Sequence, residues 1–322
     1  MSEKKISIII PHYNSWELLD KLIGTIPVDE AIEIIVVDDN SSLTCSENVD
    51  NTIKNRSVKL IKNTYGKGPG SARNVGLDNA TGEWILFADA DDYFLEEAFD
   101  IIFKLVEEYS NDSNDTTDIV YFPPTSLILE NGEEGNRHKA YADLVDDYIR
   151  YYSFCSDDSM PVKEMSSDLH LRYDFNVLWS KLYRRCVIGD LRFEDLLIGE
   201  DVWFCTKVAA NARDIAAVNT PIYCVTENEK SLTAKPHPEV FEKQVDVAIR
   251  RSDFLKERLT AEDYKLLHVN GKGSVFAAKA IGGMGLAFKT WRKLSQAGVK
   301  TFYISDLGDD IKKAMSWKKS MR

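Results

Sequence analysis

Asp89-Ala90-Asp91 sets two carboxylates one residue apart, directly after the apolar run Trp84-Ile85-Leu86-Phe87-Ala88, with a third at Asp92. Hard oxygen donors at this spacing suit Mg²⁺ or Mn²⁺, and a cation held by so few protein ligands keeps positions open for phosphate oxygens. Three adjacent carboxylates also repel one another unless a cation or basic group sits among them. A plainer task fits the same residues, because one of them can cap a helix starting near Phe94. Asp38-Asp39-Asn40-Ser41 is a second acidic cluster past another apolar run. A carboxylate there can accept the imide N–H of a uracil ring, and the same residue types equally build a turn. The segment Gly66-Lys67-Gly68-Pro69-Gly70-Ser71-Ala72-Arg73-Asn74 is glycine-rich and enters a helix. It lacks the Gly-Lys-Ser/Thr ending and the G-x-G-x-x-G spacing of phosphate-cradling loops. Arg73 offers a planar fork to a phosphate or base carbonyl, or is an ordinary surface arginine.

Positioning these groups falls to short strands alternating with helices. Ile6 to Ile10 reads as a buried strand ending at Pro11. Asn14 to Ile26 has its apolar residues on one helical face, with Asn14 as cap and Glu17 as the capping-box acid. Further strands are expected at Ile32–Val37, Val58–Ile61, Trp84–Ala88 and Asp118–Phe122, with a helix over Ser71–Asn79. Strands apolar on both faces and separated by helices imply a mainly parallel sheet covered on both sides. In such sheets ligands bind beyond the carboxyl ends of the strands. Pro11–Asn14, Asp38–Asn40 and Asp89–Asp92 are therefore expected to meet at one edge. After Pro238 the strand pattern fades into helices at Val240–Leu259, Ala261–Leu267 and Ser274–Leu294, the last weakened by Gly282, Gly283 and Gly285. The expected division is 1–237 and 238–322.

The 322 residues carry 52 acidic and 40 basic side chains, a net charge of -12, which disfavours a phosphate-backbone partner. No nucleic acid is expected. No run approaches the ~20 apolar residues that cross a bilayer, and the start of the chain shows no secretion signal. The five cysteines are scattered without a C-x-x-C pair, which favours reduced thiols and a cytoplasmic location. Lys312, Lys313, Lys318, Lys319 and Arg322 surround Trp317 at the far end. They suit peripheral contact with an anionic membrane, at about 1 kcal/mol per basic residue, or a solvated tail.

Four segments in this order resemble the family-2 glycosyltransferases, which share the GT-A fold. They are Ile8 to Asn14, Val36 to Ser42, Gly70 to Gly76 and Gly82 to Asp92, and the likeness covers roughly the first 125 residues. Trp179 to Arg184 and Ile198 to Phe204 resemble the acceptor half of the site in many relatives. The resemblance implies a GT-A-type, Rossmann-like α/β domain with a mainly parallel central sheet and a helical C-terminal extension. It implies a metal-dependent, inverting hexosyltransferase using Mn²⁺ or Mg²⁺, a nucleotide-sugar donor with UDP-sugar favoured, and a saccharide or lipid-linked saccharide acceptor. Bacterial surface polysaccharide or glycoconjugate biosynthesis is the implied setting.

By the same resemblance Asp201 is the general base, although an Asp before a helix also serves as its N-cap, here for Val202–Ala212. Asp91 holds the metal, Asp89 faces ribose or metal, Pro11 and Tyr13 pack on the base, Asp39 reads its edge and Arg73 binds the donor. The role of Lys181 stays open. Many relatives carry an arginine about five residues before the Ser-x-Thr that is Ser231-Leu232-Thr233 here; this chain has Thr226, so Lys230 or Lys235 substitutes or the lid closes differently. Two other readings remain: a nucleotidyltransferase, which releases pyrophosphate, and a catalytically silent nucleotide-sugar-binding subunit.

Overall fold

Ile6, Ile8, Ile9 and Ile10 are fully buried, as a strand covered on both faces requires, and they form β1 (Ile6–His12). The computed structural model describes residues 5–111, 115–128, 162–163, 176–196, 199–227, 237–261, 264 and 271–299. β1 pairs in parallel with β2 (Ile32–Asp38) on one side and β4 (Trp84–Phe87) on the other, and β3 (Lys59–Lys62) extends the sheet beyond β2. Past β4 comes β9 (Lys181–Arg184), antiparallel to both β4 and β6 (Thr117–Tyr121). β10 (Asp214–Ala217) then runs parallel to β6, and β8 (Val162–Lys163) closes the far side in antiparallel register. The order among the described strands is β3-β2-β1-β4-β9-β6-β10-β8. A smaller sheet joins β5 (Tyr93–Phe94), β11 (Tyr223–Glu227) and β7 (Thr125–Ile128), with β11 in the middle.

The helices follow the sequence pattern with local exceptions. α1 spans Trp16–Thr25 and buries Leu19, Leu22 and Ile23. Its N-cap position is Ser15, not the expected Asn14. Asn14 has φ +54, and its side-chain oxygen accepts from the amides of Ser42 and Leu43 at 2.8 and 2.9 Å. Two amides converging from the loop after β2 compete better for that oxygen than the single amide a cap would serve. α2 (Glu47–Asn55) is capped by Ser46. α3 (Pro69–Asn79) begins with proline at its first turn, where the missing N–H costs nothing. α3 lies close on β1 because Gly76 lacks a side chain: a Cβ there would fall 2.3 Å from Ile9 Cγ2. The expected helix near Phe94 starts later, as α4 (Ala98–Asn111), and Phe94 itself lies in β5. α5 (Arg185–Ile188) follows β9, and α6 spans Glu200–Asn211.

The chain divides into two compact units, Met1–Ala234 and Lys235–Arg322. In the second unit α7 (Pro238–Arg258) contributes Phe241 and Val245 to a small core with Ala278, Leu286, Ala287 and Leu294 of α8 (Gly271–Gln296). α8 is broken at Gly282 and Gly283, where φ is -134 and +74, so the expected weakening is a true interruption. Among the described residues no helix is long and apolar enough to cross a membrane. The basic cluster at 312–322 and most of the expected helix Ala261–Leu267 lie outside the described residues.

Candidate active site

Because β2, β1 and β4 are parallel neighbours, the loops that follow them emerge side by side. The loop after β1 places Pro11 half-buried and leaves the Tyr13 ring 58% exposed. His12 beneath it is buried, and burial lowers its pKa against the raising effect of Asp38. Its carbonyl accepts the Asp39 amide at 2.7 Å, tying the two loops together. The Asp39 carboxylate accepts from Asn63 Nδ2 at 2.6 Å and from the Gly68 amide at 2.7 Å. Each oxygen keeps a second lone pair, so this pairing holds the group in place and leaves acceptor capacity. Buried Asn63 also bonds the Ser71 hydroxyl and accepts the Tyr65 amide at 3.1 Å. Asp39 and Asn63 thus pin the glycine-rich segment at the point where α3 starts. Gly68 sits there with φ +95, a conformation that favours glycine.

One turn into α3, Arg73 is only 6% exposed. Its Nη2 donates to Asp89 at 2.7 Å and its Nη1 to Glu200 at 3.4 Å, with Phe193 5.7 Å away beneath the guanidinium. The fork that the sequence offered to a phosphate or base carbonyl is taken up by two carboxylates. Gly70, one turn earlier, permits the approach, since a Cβ there would lie 3.0 Å from Glu200 Cγ and 3.2 Å from Phe193 Cβ.

Three neighbouring carboxylates at the end of β4 receive three different environments. Asp89 pairs with Arg73. Asp92 is 4% exposed and accepts from the Tyr223 hydroxyl at 2.9 Å and the Thr226 amide at 2.7 Å. Burial first, then Asp89 and Asp91, push its pKa well above the ordinary carboxylate value. Asp91 is exposed, although the protein around it withdraws part of its water. That desolvation, with Asp89 second, raises its pKa. Among the described residues no group of three or more His, Cys, Asp or Glu forms a metal cage. A pair of carboxylates with one open to solvent is nevertheless what Mg²⁺ or Mn²⁺ uses when phosphate and water fill the remaining positions. The residues fit such a cation, with Asp91 the accessible ligand and Asp89 held beside it by Arg73.

α6 brings the fourth carboxylate. Gly199, in the left-handed region at φ +80, is the N-cap residue, so Glu200 and Asp201 lie inside the first helical turn. The cap role open to Asp201 in the sequence therefore belongs to Gly199. Asp201 Oδ1 accepts the Val202 amide at 2.8 Å. Burial raises its pKa, and the Val202 amide and Arg73 partly offset this. Below the turn, Lys181 is 2% exposed, donates to Cys205 Sγ at 3.7 Å and lies 5.1 Å from the centre of the Tyr121 ring. Burial lowers its pKa.

Asp39, Arg73, Asp89 and Asp201 are thus linked by a continuous path: Asp39 to Gly68, α3 to Arg73, Arg73 to Asp89 and Glu200, and Glu200 to its neighbour Asp201. Pro11 and Tyr13 join it only through the loop that carries them. Lys230, Lys235 and Ser231–Thr233 lie outside the described residues. Asn63, Glu200 and Tyr223 carry much of this framework without having been singled out from sequence. Glu200 had a signal, its place in Gly199-Glu200-Asp201; Asn63 and Tyr223 had none.

The family model of glycosyl transferase family 2 matches residues 7–153, which span the β1, β2 and β4 loops. The structure of residues 1–349 of Staphylococcus aureus TarS, in complex with UDP-GlcNAc, superposes with a TM-score of 0.57 and 19% identity over 93% of each chain. Residues 7–153 thus match the family-2 glycosyltransferases, and the chain has a GT-A fold. The chain is 26% identical over 248 residues to the poly(ribitol-phosphate) beta-N-acetylglucosaminyltransferase TarS of S. aureus, covering 74% of this chain and 38% of TarS. It is 25% identical over 241 residues to the glycosyltransferase GlyA of Streptococcus pneumoniae, covering 72% of this chain and 32% of GlyA. It spans about a third of the length of these curated relatives. Asp201, Lys181 and Tyr223 all lie beyond the stretch that the family model matches.

Proposed function

We propose that this chain is a glycosyltransferase that transfers a hexose, with inversion, from a UDP-sugar to a hydroxyl of a saccharide or lipid-linked saccharide in surface polysaccharide or glycoconjugate synthesis. The observation that carries the reading is the Arg73 bridge. It joins Asp89, on the proposed diphosphate side, to Glu200, next to the proposed base Asp201. An alcohol barely ionises at neutral pH, so its attack on the anomeric carbon requires a carboxylate placed to take the proton as the new bond forms. Asp201 takes that proton, while the bond from the anomeric carbon to the diphosphate oxygen breaks on the opposite face. A divalent cation at Asp91 would neutralise the charge gathering on the departing diphosphate. Asp89, fixed by Arg73, orients the ribose or the cation shell. Tyr13 and Pro11 pack on the base, and Asp39 keeps an acceptor lone pair for its imide N–H.

TarS supports the donor class, since its structure is of a complex with UDP-GlcNAc. The beta linkage in the name of TarS is the product expected when an alpha-linked donor is inverted. Four described cysteines are free thiols, in keeping with a cytoplasmic site of action. The test is incubation with a panel of UDP-sugars, saccharide acceptors and Mn²⁺, with a chelator control. Metal-dependent release of UDP with a glycosylated product is expected. Release of pyrophosphate would instead show a nucleotidyltransferase. Binding of UDP-sugar without turnover on any acceptor or water would show a silent binding subunit.

A further inference from the structure

Tyr223 is fully buried at the start of β11, 131 residues from Asp92 in sequence, yet its hydroxyl is the knot of the Asp89–Asp92 turn. The Asp89 amide donates to the hydroxyl oxygen at 2.8 Å, and the hydroxyl donates in turn to Asp92 Oδ2 at 2.9 Å. Asp92 Oδ1 accepts the Thr226 amide at 2.7 Å, one turn of strand further along β11. Two further amides are committed: Ala88 donates to the Ile9 carbonyl at 3.1 Å and Asp92 to the Asp89 carbonyl at 3.1 Å. The Tyr223 ring is fixed independently by Trp179, stacked at 6.0 Å, and by Phe94, edge-on at 5.2 Å. β5 and β11 pair through Phe94 and Tyr223 themselves.

We propose that Tyr223 and Asp92 are positioning residues that brace the Asp89–Asp92 turn against the small sheet, so that Asp91 meets a cation–diphosphate pair in one fixed orientation. The idea rests on the metal-dependent reading above. It assigns a task to the three-stranded sheet, which otherwise only covers the core. It also explains why the third carboxylate of the run is buried. An ionised carboxylate is acceptor-only, and Asp92 receives one donor on each oxygen, from a side chain and from the backbone of the same strand. Groups that orient a metal ligand from behind commonly change metal affinity by about 10- to 100-fold when removed.

The experiment measures UDP binding to the full chain by calorimetry, with and without Mn²⁺, for wild type, Tyr223→Phe and Asp92→Asn. Tyr223→Phe keeps the ring and its stacking and removes only the hydroxyl. The expected result is a Mn²⁺ midpoint about 10- to 100-fold higher for Tyr223→Phe. UDP binding without metal should be unchanged, and Asp92→Asn should be intermediate because its amide can still accept from Thr226. A purely structural hydroxyl would lower thermal stability and leave the ratio of metal-supported to metal-free UDP affinity at the wild-type value, which would overturn the brace. If Tyr223→Phe fails to fold, the same ratio in Asp92→Asn decides. Wild type showing no Mn²⁺-supported UDP binding would instead remove the metal-dependent reading, an outcome visible before any variant is compared.

Discussion

At the ends of β1, β2 and β3, carboxylate and amide side chains are held in place by the protein itself. Asn14, Asp38, Asp39 and Asn63 bond backbone amides or one another. At the start of α6, by contrast, Asp201 is half-buried and held by backbone amides of its own turn, with a pKa raised by desolvation. The first region spends its polar groups on shape, as suits recognition of an invariant part of a ligand. The second keeps a carboxylate under-solvated and basic, as suits a group that must accept a proton. Arg73 lies between them, joining Asp89 at the end of β4 to Glu200, the neighbour of Asp201.

The sharpest way to break this contrast is Asp201→Asn. Transfer is expected to fall on the order of 10²–10⁴-fold, the usual contribution of a positioned base, with UDP-sugar affinity retained in a binding titration. Loss of donor binding instead would make Asp201 a structural residue. Asp91→Ala should reduce turnover on the order of 10²–10³-fold, as removal of one electrostatic stabiliser does, and abolish the response to added Mn²⁺. Full activity in that variant would remove its assignment. On the shape-keeping side, Tyr13→Ala removes an exposed ring and should raise the donor KM about tenfold with kcat unchanged, the size of a lost base–aromatic stack. An unchanged KM would take the base elsewhere.

The smallest effect is in stability, and its sign is diagnostic. The pKa of Asp201 is raised in the folded protein, so the native state binds that proton more tightly than the unfolded chain. Stability from this group therefore falls as pH climbs from the unfolded value to the folded one and stays lower above it. Asp201→Asn should melt at a higher temperature than wild type at neutral pH, and the gain should vanish in acid. The rate of transfer should rise with pH over the same interval, since only the ionised form accepts a proton. A variant that melts lower at neutral pH would show that the carboxylate supports the helix start.

Much of the framework was legible because it is local. Ile6–Ile10 and Trp84–Phe87 announce buried parallel strands by being apolar on both faces, and the acidic loops follow them directly. What escaped is non-local or locally ambiguous. Tyr223 sits in an apolar strand and reads as core until its hydroxyl is seen on Asp92, 131 residues away. Asn63 looks like an ordinary turn residue. Asn14 reads as a cap because it precedes a helix, and the winning partners belong to the loop 28 residues on. β9 carries no alternation over its four residues that would reveal its antiparallel direction.

That strand has a consequence for how the molecule is made. β9 is the sole described link between β4 and β6, so without it the main sheet is two separate halves. It leaves the ribosome about a hundred residues after β4, on the order of ten seconds later at common translation speeds. Until β9 is made, β4 lacks the strand that pairs with this edge, and an unpaired, wholly apolar Trp84–Phe87 is of the kind that templates aggregation. Nascent chains stalled before residue 181 should therefore be chaperone clients, and released fragments of that length should precipitate.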